Sequence, residues 1–284
     1  MPVTVVGTIE ELRGVLEAAR AEGGTVGFVP TMGYLHEGHA SLMDAARATN
    51  DVAVVSIFVN PLQFGPSEDL DAYPRDLGAD LSLAERCGID VVFAPSVGEM
   101  YPEEIRTTVS VSGVSETLEG RARPTHFVGV ATVVAKLFAI VGGCSAYFGE
   151  KDFQQLAVIR QMVRDLSLPV DVVGCPTVRE ADGLAMSSRN AYLTPIERAA
   201  APVVYAALQA GREAVVSGVR DPAEVRRVMQ AVIAAVPAAG LDYVEVLDAA
   251  TFGVPDPLVG EVRLLAAVRI GGTRLIDNIG VQVG

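Results

Sequence analysis

The feature that most constrains this chain is the rhythm of roughly its first 175 residues, where short apolar runs alternate with helical segments. Thr25–Pro30 (TVGFVP), Asp51–Val59 (DVAVVSIFV), Asp90–Pro95 (DVVFAP), Ala146–Gly149 (AYFG) and Val170–Val173 are short and nearly continuous in apolar character. Glu10–Ala21, Ala40–Thr49, Asp76–Cys87, Ala131–Val141 and Asp152–Leu166 lie between them and read as helices. A strand without polar alternation has both faces buried, and helices in the connections are what bury them. The handedness of such crossovers then gives an α/β fold, a Rossmann-like doubly wound parallel sheet. Ligands of such sheets bind beyond the carboxyl ends of the strands, near the point where strand order reverses.

The pattern changes after about residue 177. Thr194-Pro-Ile-Glu197 is a capping box with proline at the first helical position, and it predicts a helix to about Ser217. Asp221-Pro-Ala-Glu224 repeats the device and predicts a second helix ending near Val236. Tyr243–Leu247, Val262–Ile270 and Thr273–Ile276 follow as strands, the last two joined by the turn signal Gly271-Gly272. These signals predict two domains: residues 1–177, Rossmann-like, and residues 178–284, a smaller α+β domain.

Charge and cysteine usage exclude several functions. Lysine and arginine total 22 against 35 acids, a net charge of −13, and such a field repels nucleic acid. A small anionic substrate remains compatible, because a local field can oppose the global one. No run reaches the roughly 18 uncharged apolar residues of a membrane span. The nearest, Phe127–Val141, contains Lys136. The first residues lack the basic and apolar regions of a signal peptide, so the expected location is the cytoplasm. Cys87, Cys144 and Cys175 are dispersed and odd in number, which argues against a disulfide framework or zinc site and for small buried hydrophobes.

Four segments carry chemistry. Pro30-Thr-Met-Gly-Tyr-Leu-His36-Glu-Gly-His39 follows a strand, precedes a helix and holds two of the three histidines. At helical spacing His36 and His39 share a face. Gly33 and Gly38 admit close approach of a ligand, and a helix N-terminus offers N–H groups and partial positive charge to phosphate. Two imidazoles add donors for charge developing on a reacting phosphate. The segment is neither a Walker loop nor HExxH, and only Glu37 offers a nearby third metal ligand. In Met186-Ser187-Ser188-Arg189-Asn190, hydroxyls and a guanidinium fork suit a triphosphate and its leaving pyrophosphate, with Gly183 as a hinge. Gly149-Glu-Lys151-Asp152-Phe-Gln-Gln155 closes a strand: Lys151 can neutralise phosphate, and Asp152 is expected to cap the next helix with Gln155 at the box position. Asn60 and Gln63, in Ser56-Ile-Phe-Val-Asn60-Pro-Leu-Gln63-Phe, put neutral amides after a buried strand, where they suit a hydroxylated, carboxylated substrate.

Taken together, HEGH (His36–His39), SIFVNPLQF (Ser56–Phe64), YPRD (Tyr73–Asp76), RPTHFVGVATVVAKLF (Arg123–Phe138), FGEKDFQQ (Phe148–Gln155) and MSSRN (Met186–Asn190) closely resemble the pantoate–β-alanine ligases. That family belongs to a nucleotidyl-transferring superfamily with the class I aminoacyl-tRNA synthetases. The motifs occur in the family's order over most of the chain. The resemblance implies that ATP, pantoate and β-alanine are the partners, with Mg2+ on the nucleotide. It implies that Met32, Gly33, Tyr34, Leu35, His36, Glu37, Gly38 and His39 line the ATP site. By the same resemblance Gly149, Glu150, Lys151 and Asp152 would border the nucleotide, with His36, His39 and Lys151 catalytic. Val178 would sit near the adenine, and Met186, Ser187, Ser188 and Arg189 would form a mobile second phosphate loop. Gln63 and Gln155 would hold pantoate, and Asn60, Tyr73, Arg123 and His126 would lie near the substrates. The implied reaction is attack of pantoate's carboxylate on the α-phosphorus, loss of pyrophosphate, then capture of the pantoyl-adenylate by the amine of β-alanine. A C-terminal lid that excludes water and a homodimer are implied in the same way.

Two other classes compete. An adenylyl transferase acting on a phosphate acceptor shares the histidine motif but leaves AMP on its product. A nucleotide-binding regulator would bind ATP without releasing pyrophosphate. A tRNA synthetase is disfavoured by the short, acidic chain.

Overall fold

A computed structural model describes residues 3–65, 70–71 and 73–284. The chain divides into two compact units, Met1–Pro176 and Thr177–Gly284. The first unit runs β1 (Thr4–Val6), α1 (Ile9–Ala21), β2 (Val26–Thr31), α2 (Glu37–Thr49), β3 (Val52–Ile57), α3 (Leu77–Arg86) and β4 (Val91–Phe93). It continues through α4 (Val97–Met100), α5 (Glu119–Ala122), α6 (His126–Val141), β5 (Cys144–Gly149), α7 (Phe153–Asp165) and β6 (Val170–Cys175).

The strands form a six-stranded sheet in the order β1-β4-β3-β2-β5-β6, and every pairing is parallel. Burial of both faces explains the unbroken apolar runs. Val29, Val55 and Val92 align across β2, β3 and β4, and pack with Met43 and Ala46 of α2 and Ala84 of α3. The alternate row, Phe28, Val54 and Val91, is equally buried. From β2 the chain builds outward through β3 and β4 on one side, and through β5 and β6 on the other. Strand order therefore reverses between β2 and β5, and their carboxyl ends bound the crevice where such a sheet takes its ligand. The strand β1 escapes a reading by apolar runs. It is three residues long, pairs only at the sheet's outer edge, and leaves Val5 48% exposed.

The second unit holds α8 (Pro195–Ala200), α9 (Val203–Val216), α10 (Pro222–Ala234), β7 (Ala239–Asp248), β8 (Glu261–Ile270) and β9 (Thr273–Gln282). The strands form an antiparallel sheet, β7-β8-β9. Ile270 pairs with Thr273, so Gly271-Gly272 is the two-residue hairpin loop expected from the sequence. Val204, Leu208, Met229 and Ile233 of α9 and α10 pack on Val246, Leu264, Ala266 and Val268 of the sheet. The Thr194–Glu197 capping box forms, but the single helix expected to Ser217 is two. Pro202 lacks an N–H and crowds the preceding turn, so α8 ends and α9 starts anew behind it.

Candidate active site

Because the sheet is parallel, the loops after β3, β2 and β5 leave the same end of three adjacent strands. They carry Asn60–Gln63, Met32–His39 and Glu150–Asp152.

The loop after β2 is held open by a charge that the sequence motif does not contain. Gly33 has φ +82° and Tyr34 φ +53°, a left-handed pair that turns the chain sharply. A side chain at Gly33 would meet the Asp80 carboxylate at 2.9 Å and Ile57 at 3.0 Å. Asp80, on α3, is 3% exposed and accepts the N–H groups of Tyr34 (3.0 Å) and Leu35 (2.7 Å). Burial raises its pKa, and the two backbone donors oppose that rise. Spacing within the motif cannot reveal Asp80, because it acts on backbone atoms from more than 40 residues away.

Helix α2 begins at Glu37, three residues before the expected start, and His36 is its N-cap. The histidines replace the usual residues of a capping box. The Gly38 N–H donates to His36 Nδ1 (3.1 Å), and the His36 N–H donates to His39 Nδ1 (3.3 Å). The rings lie 4.1 Å apart at 42°. With both Nδ1 atoms accepting, each neutral ring carries its proton on Nε2, so the pair presents two N–H donors. Desolvation, then the Lys151 charge, lowers the pKa of His36. Desolvation, then His36, pushes His39 down to about 3. Both imidazoles are thus neutral donors at neutral pH.

Lys151 follows β5, with its ammonium side chain 16% exposed and 3.4 Å from Asp152. Its positive charge and the negative charge of Asp152 act on both imidazoles in opposite directions, which places these four groups in one electrostatic cluster. Asp152 does not cap α7 as expected. Glu150–Asp152 form a 3-10 turn, Asp152 makes no side-chain cap bond, and its carboxylate faces Lys151. Gln155 is half-buried on the first turn of α7, while its neighbour Gln154 is buried and ties down Val114, Thr117 and Glu119.

After β3, Asn60 caps the Pro61–Gln63 turn and is fully buried. Arg123 and His126 Nδ1 both donate to the Gln63 carbonyl at 3.3 Å, so they grip the turn's backbone. Tyr73 packs edge-on against Phe64 with ring centroids 5.9 Å apart. Glu37 is exposed and paired with Arg86 at 2.5 Å. Among the described residues, no three His, Cys, Asp or Glu side chains converge as a metal cage.

Val178 and Met186–Arg189 belong to the second unit, in a hairpin. The Met186 N–H donates to the Val178 carbonyl (3.0 Å), and Arg179 bridges Ala185. Arg179 makes a bidentate pair with buried Asp277 (2.5 and 2.9 Å), and its guanidinium lies 4.0 Å from the Tyr205 ring centroid. Ser187 accepts the Arg189 N–H, starting the turn Ser188–Tyr192, and leaves Arg189 exposed.

Together these features define a doubly wound α/β protein with an anion-receptive centre at its switch point. Residues 4–280 match the family model described as pantoate-beta-alanine ligase, and the chain belongs to that family. It is 51% identical to a pantothenate synthetase of Caldicellulosiruptor saccharolyticus over 281 residues, 99% of this chain and all of the relative. The crystal structure of pantothenate synthetase from Thermus thermophilus superimposes with a TM-score of 0.94 at 50% identity, covering 99% of this chain and 100% of that one. Pantoate-beta-alanine ligase from Francisella tularensis, complexed with beta-gamma ATP and beta-alanine, gives 0.79 at 34% identity, covering 98% and 97%.

Proposed function

We propose that this chain joins pantoate to β-alanine at the expense of ATP, through a pantoyl-adenylate. The observation that carries the reading is the locked histidine pair, two Nε2–H donors at a helix N-terminus beside the Lys151 ammonium. Such an array is poised for a phosphate whose charge grows during reaction, and most of its organisation is complete before substrate arrives.

In the first step a carboxylate oxygen of pantoate attacks the α-phosphorus, and the bond to pyrophosphate breaks. His36 and His39 donate to oxygens of the reacting phosphate, and Lys151 offsets the charge of the leaving group. Met32–His39 and Gly149–Asp152 border the nucleotide, and the family resemblance assigns Val178, Met186, Ser187, Ser188 and Arg189 to nucleotide binding as well. Gln63 and Gln155 hold pantoate. In the second step the amine of β-alanine attacks the acyl carbon, AMP leaves with the carboxylate oxygen, and the amine loses a proton. Mg2+ enters as the companion of ATP, in keeping with its preference for phosphate oxygens and water. A homodimer in the cytoplasm completes the reading. The family relationship supports it, and no helix among the described residues is long and apolar enough to cross a membrane.

The test is product analysis with pantoate labelled by 18O in its carboxylate. The reading expects pantothenate and free AMP, with one label transferred to AMP for each turnover. Unlabelled AMP, or AMP retained on the acyl product, would overturn it.

A further inference from the structure

The amide of Asn60 is committed on all sides. Its Nδ2 donates to the Gly129 carbonyl (3.1 Å), and its Oδ1 accepts the Leu62 N–H (3.3 Å). Both partners are backbone groups of fixed polarity, so the orientation of the Asn60 amide is not open to reversal. The remaining contacts then take only one sense. Tyr101 Oη donates to Asn60 Oδ1 (2.9 Å), and Asn60 Nδ2 donates to Gln63 Oε1 (3.1 Å). Gln63 is left with its Nε2 directed away from Asn60, and that group makes no hydrogen bond among the described residues.

Neighbouring elements are shaped to keep this relay in place. Gly129 lets α6 close onto the Pro61–Gln63 turn: a side chain there would lie 2.1 Å from the Leu62 carbonyl oxygen. Tyr101 caps the end of α4, with its ring edge-on to Phe58 at 5.9 Å. Lys136, the charge inside the otherwise apolar α6, donates to the Met100 carbonyl and lies 5.3 Å from the Tyr101 ring centroid. It thereby holds the residue before Tyr101 and the ring face together. Desolvation pushes the Tyr101 phenol up to about 12, so it remains a donor throughout any working pH.

We infer that Tyr101 is a positioning residue: its hydroxyl holds the Asn60 amide, whose sense the Gly129 carbonyl and Leu62 N–H fix, against Gln63, so that Gln63 can only donate and selects an acyl substrate bearing an acceptor oxygen. This rests on the assignment of Gln63 to pantoate. A rotated Gln63 would present its carbonyl oxygen to pantoate's carboxylate or hydroxyl lone pairs. It would also turn its N–H groups against the donor of Asn60. The relay makes that state unfavourable at both ends.

The test measures pantoate-dependent exchange of labelled pyrophosphate into ATP for the whole chain, in wild type, Tyr101→Phe, Gln63→Ala and the double variant. Tyr101→Phe removes one donor and keeps the ring. It is expected to raise the KM for pantoate by about threefold to tenfold, the scale of one neutral hydrogen bond, while the KM for ATP stays put. In the Gln63→Ala background there is no amide to orient, so Tyr101→Phe should add no further change. That coupling is what a merely structural tyrosine would not show. Gln63→Glu, which exchanges the donor for a charged acceptor, should raise the KM for pantoate further, roughly 10- to 100-fold. Equal effects of Tyr101→Phe with and without Gln63, or a rise in the KM for ATP matching that for pantoate, would overturn the inference alone. Absence of pantoate-dependent exchange in the wild type would instead overturn the ligase reading, and the inference with it.

Discussion

The two loops assigned to phosphate binding are rigidified by different physics. The Met32–His39 loop of the first unit is organised by hydrogen bonds to backbone, with a buried carboxylate at Asp80 and two neutral imidazoles in a capping box. The Val178–Asn190 hairpin of the second unit is organised by guanidinium–carboxylate pairs. Arg179 meets Asp277, and Arg198 meets both Glu180 and Asp182 at 2.6 Å. The first device sets two uncharged imidazole donors beside the Lys151 charge. The second spends its carboxylates on anchoring arginines outside the motif and leaves Arg189 exposed. The difference teaches that an acidic protein can keep the carboxylates near such loops occupied in two ways, with backbone N–H groups in one and with structural arginines in the other.

The sharpest way to break this comparison is to remove the charge, or one of the neutral donors, from the first loop's neighbourhood. Lys151→Ala or His39→Ala should lower the rate of pyrophosphate exchange by roughly 100- to 1000-fold, the scale of losing one organised donor to a reacting oxyanion. Circular dichroism should remain that of the wild type. A near-normal rate would remove that residue from the chemistry.

Next in size is the anchor of the second loop. Asp277→Ala leaves Arg179 without its bidentate partner at a site where the carboxylate is 4% and the guanidinium 16% exposed. Breaking a buried pair on one side costs about 3–5 kcal/mol. Denaturant melts should show the loss, and a change below 1 kcal/mol would mean that the cation–π contact with Tyr205 suffices. Asp80→Ala is the matching experiment on the first loop. It strands the N–H groups of Tyr34 and Leu35, with an expected cost of about 1–3 kcal/mol and a slower exchange reaction.

Acid should separate the loops further. The folded pKa of His39 is about 3, below the unfolded value of 6.5, and His36 is lowered as well. Between those values the unfolded chain binds more protons than the folded one, so stability falls as pH drops through that window, by up to about 1.4 kcal/mol per pH unit for one group. Above 6.5 the histidines impose no such loss. His39→Asn should flatten the fall, and an unchanged slope would show that His39 is protonated in the folded state. The smallest effect belongs to Arg198→Ala. Its pairs are about one-third exposed, so it should change stability by no more than about 1 kcal/mol, and by less in high salt.

Sheet and helix alternation was legible because burial on both faces leaves unbroken apolar runs. β1 was not, because a three-residue edge strand carries no such run. Pro202 was visible but was outweighed by the capping box upstream, although its missing N–H decides the matter locally. At the candidate site, the residue types of the histidine segment led to the proposal of phosphate binding. Their arrangement was not, since the capping box depends on His36 adopting extended backbone, with φ −140° and ψ 177°. Asp80 and Tyr101 were illegible for a shared reason: they act across the fold, Asp80 on backbone N–H groups and Tyr101 on the Asn60 amide. Asp152 was expected to cap α7, a local rule that the intervening 3-10 turn and the pull of Lys151 override.

The most direct test of the account is exchange of labelled pyrophosphate into ATP by the wild-type chain, with Mg2+ and pantoate present and β-alanine omitted. The account predicts exchange that depends on pantoate, followed by pantothenate and AMP once β-alanine is added. A folded protein that binds ATP yet shows no exchange would contradict a stepwise adenylation at the histidine pair.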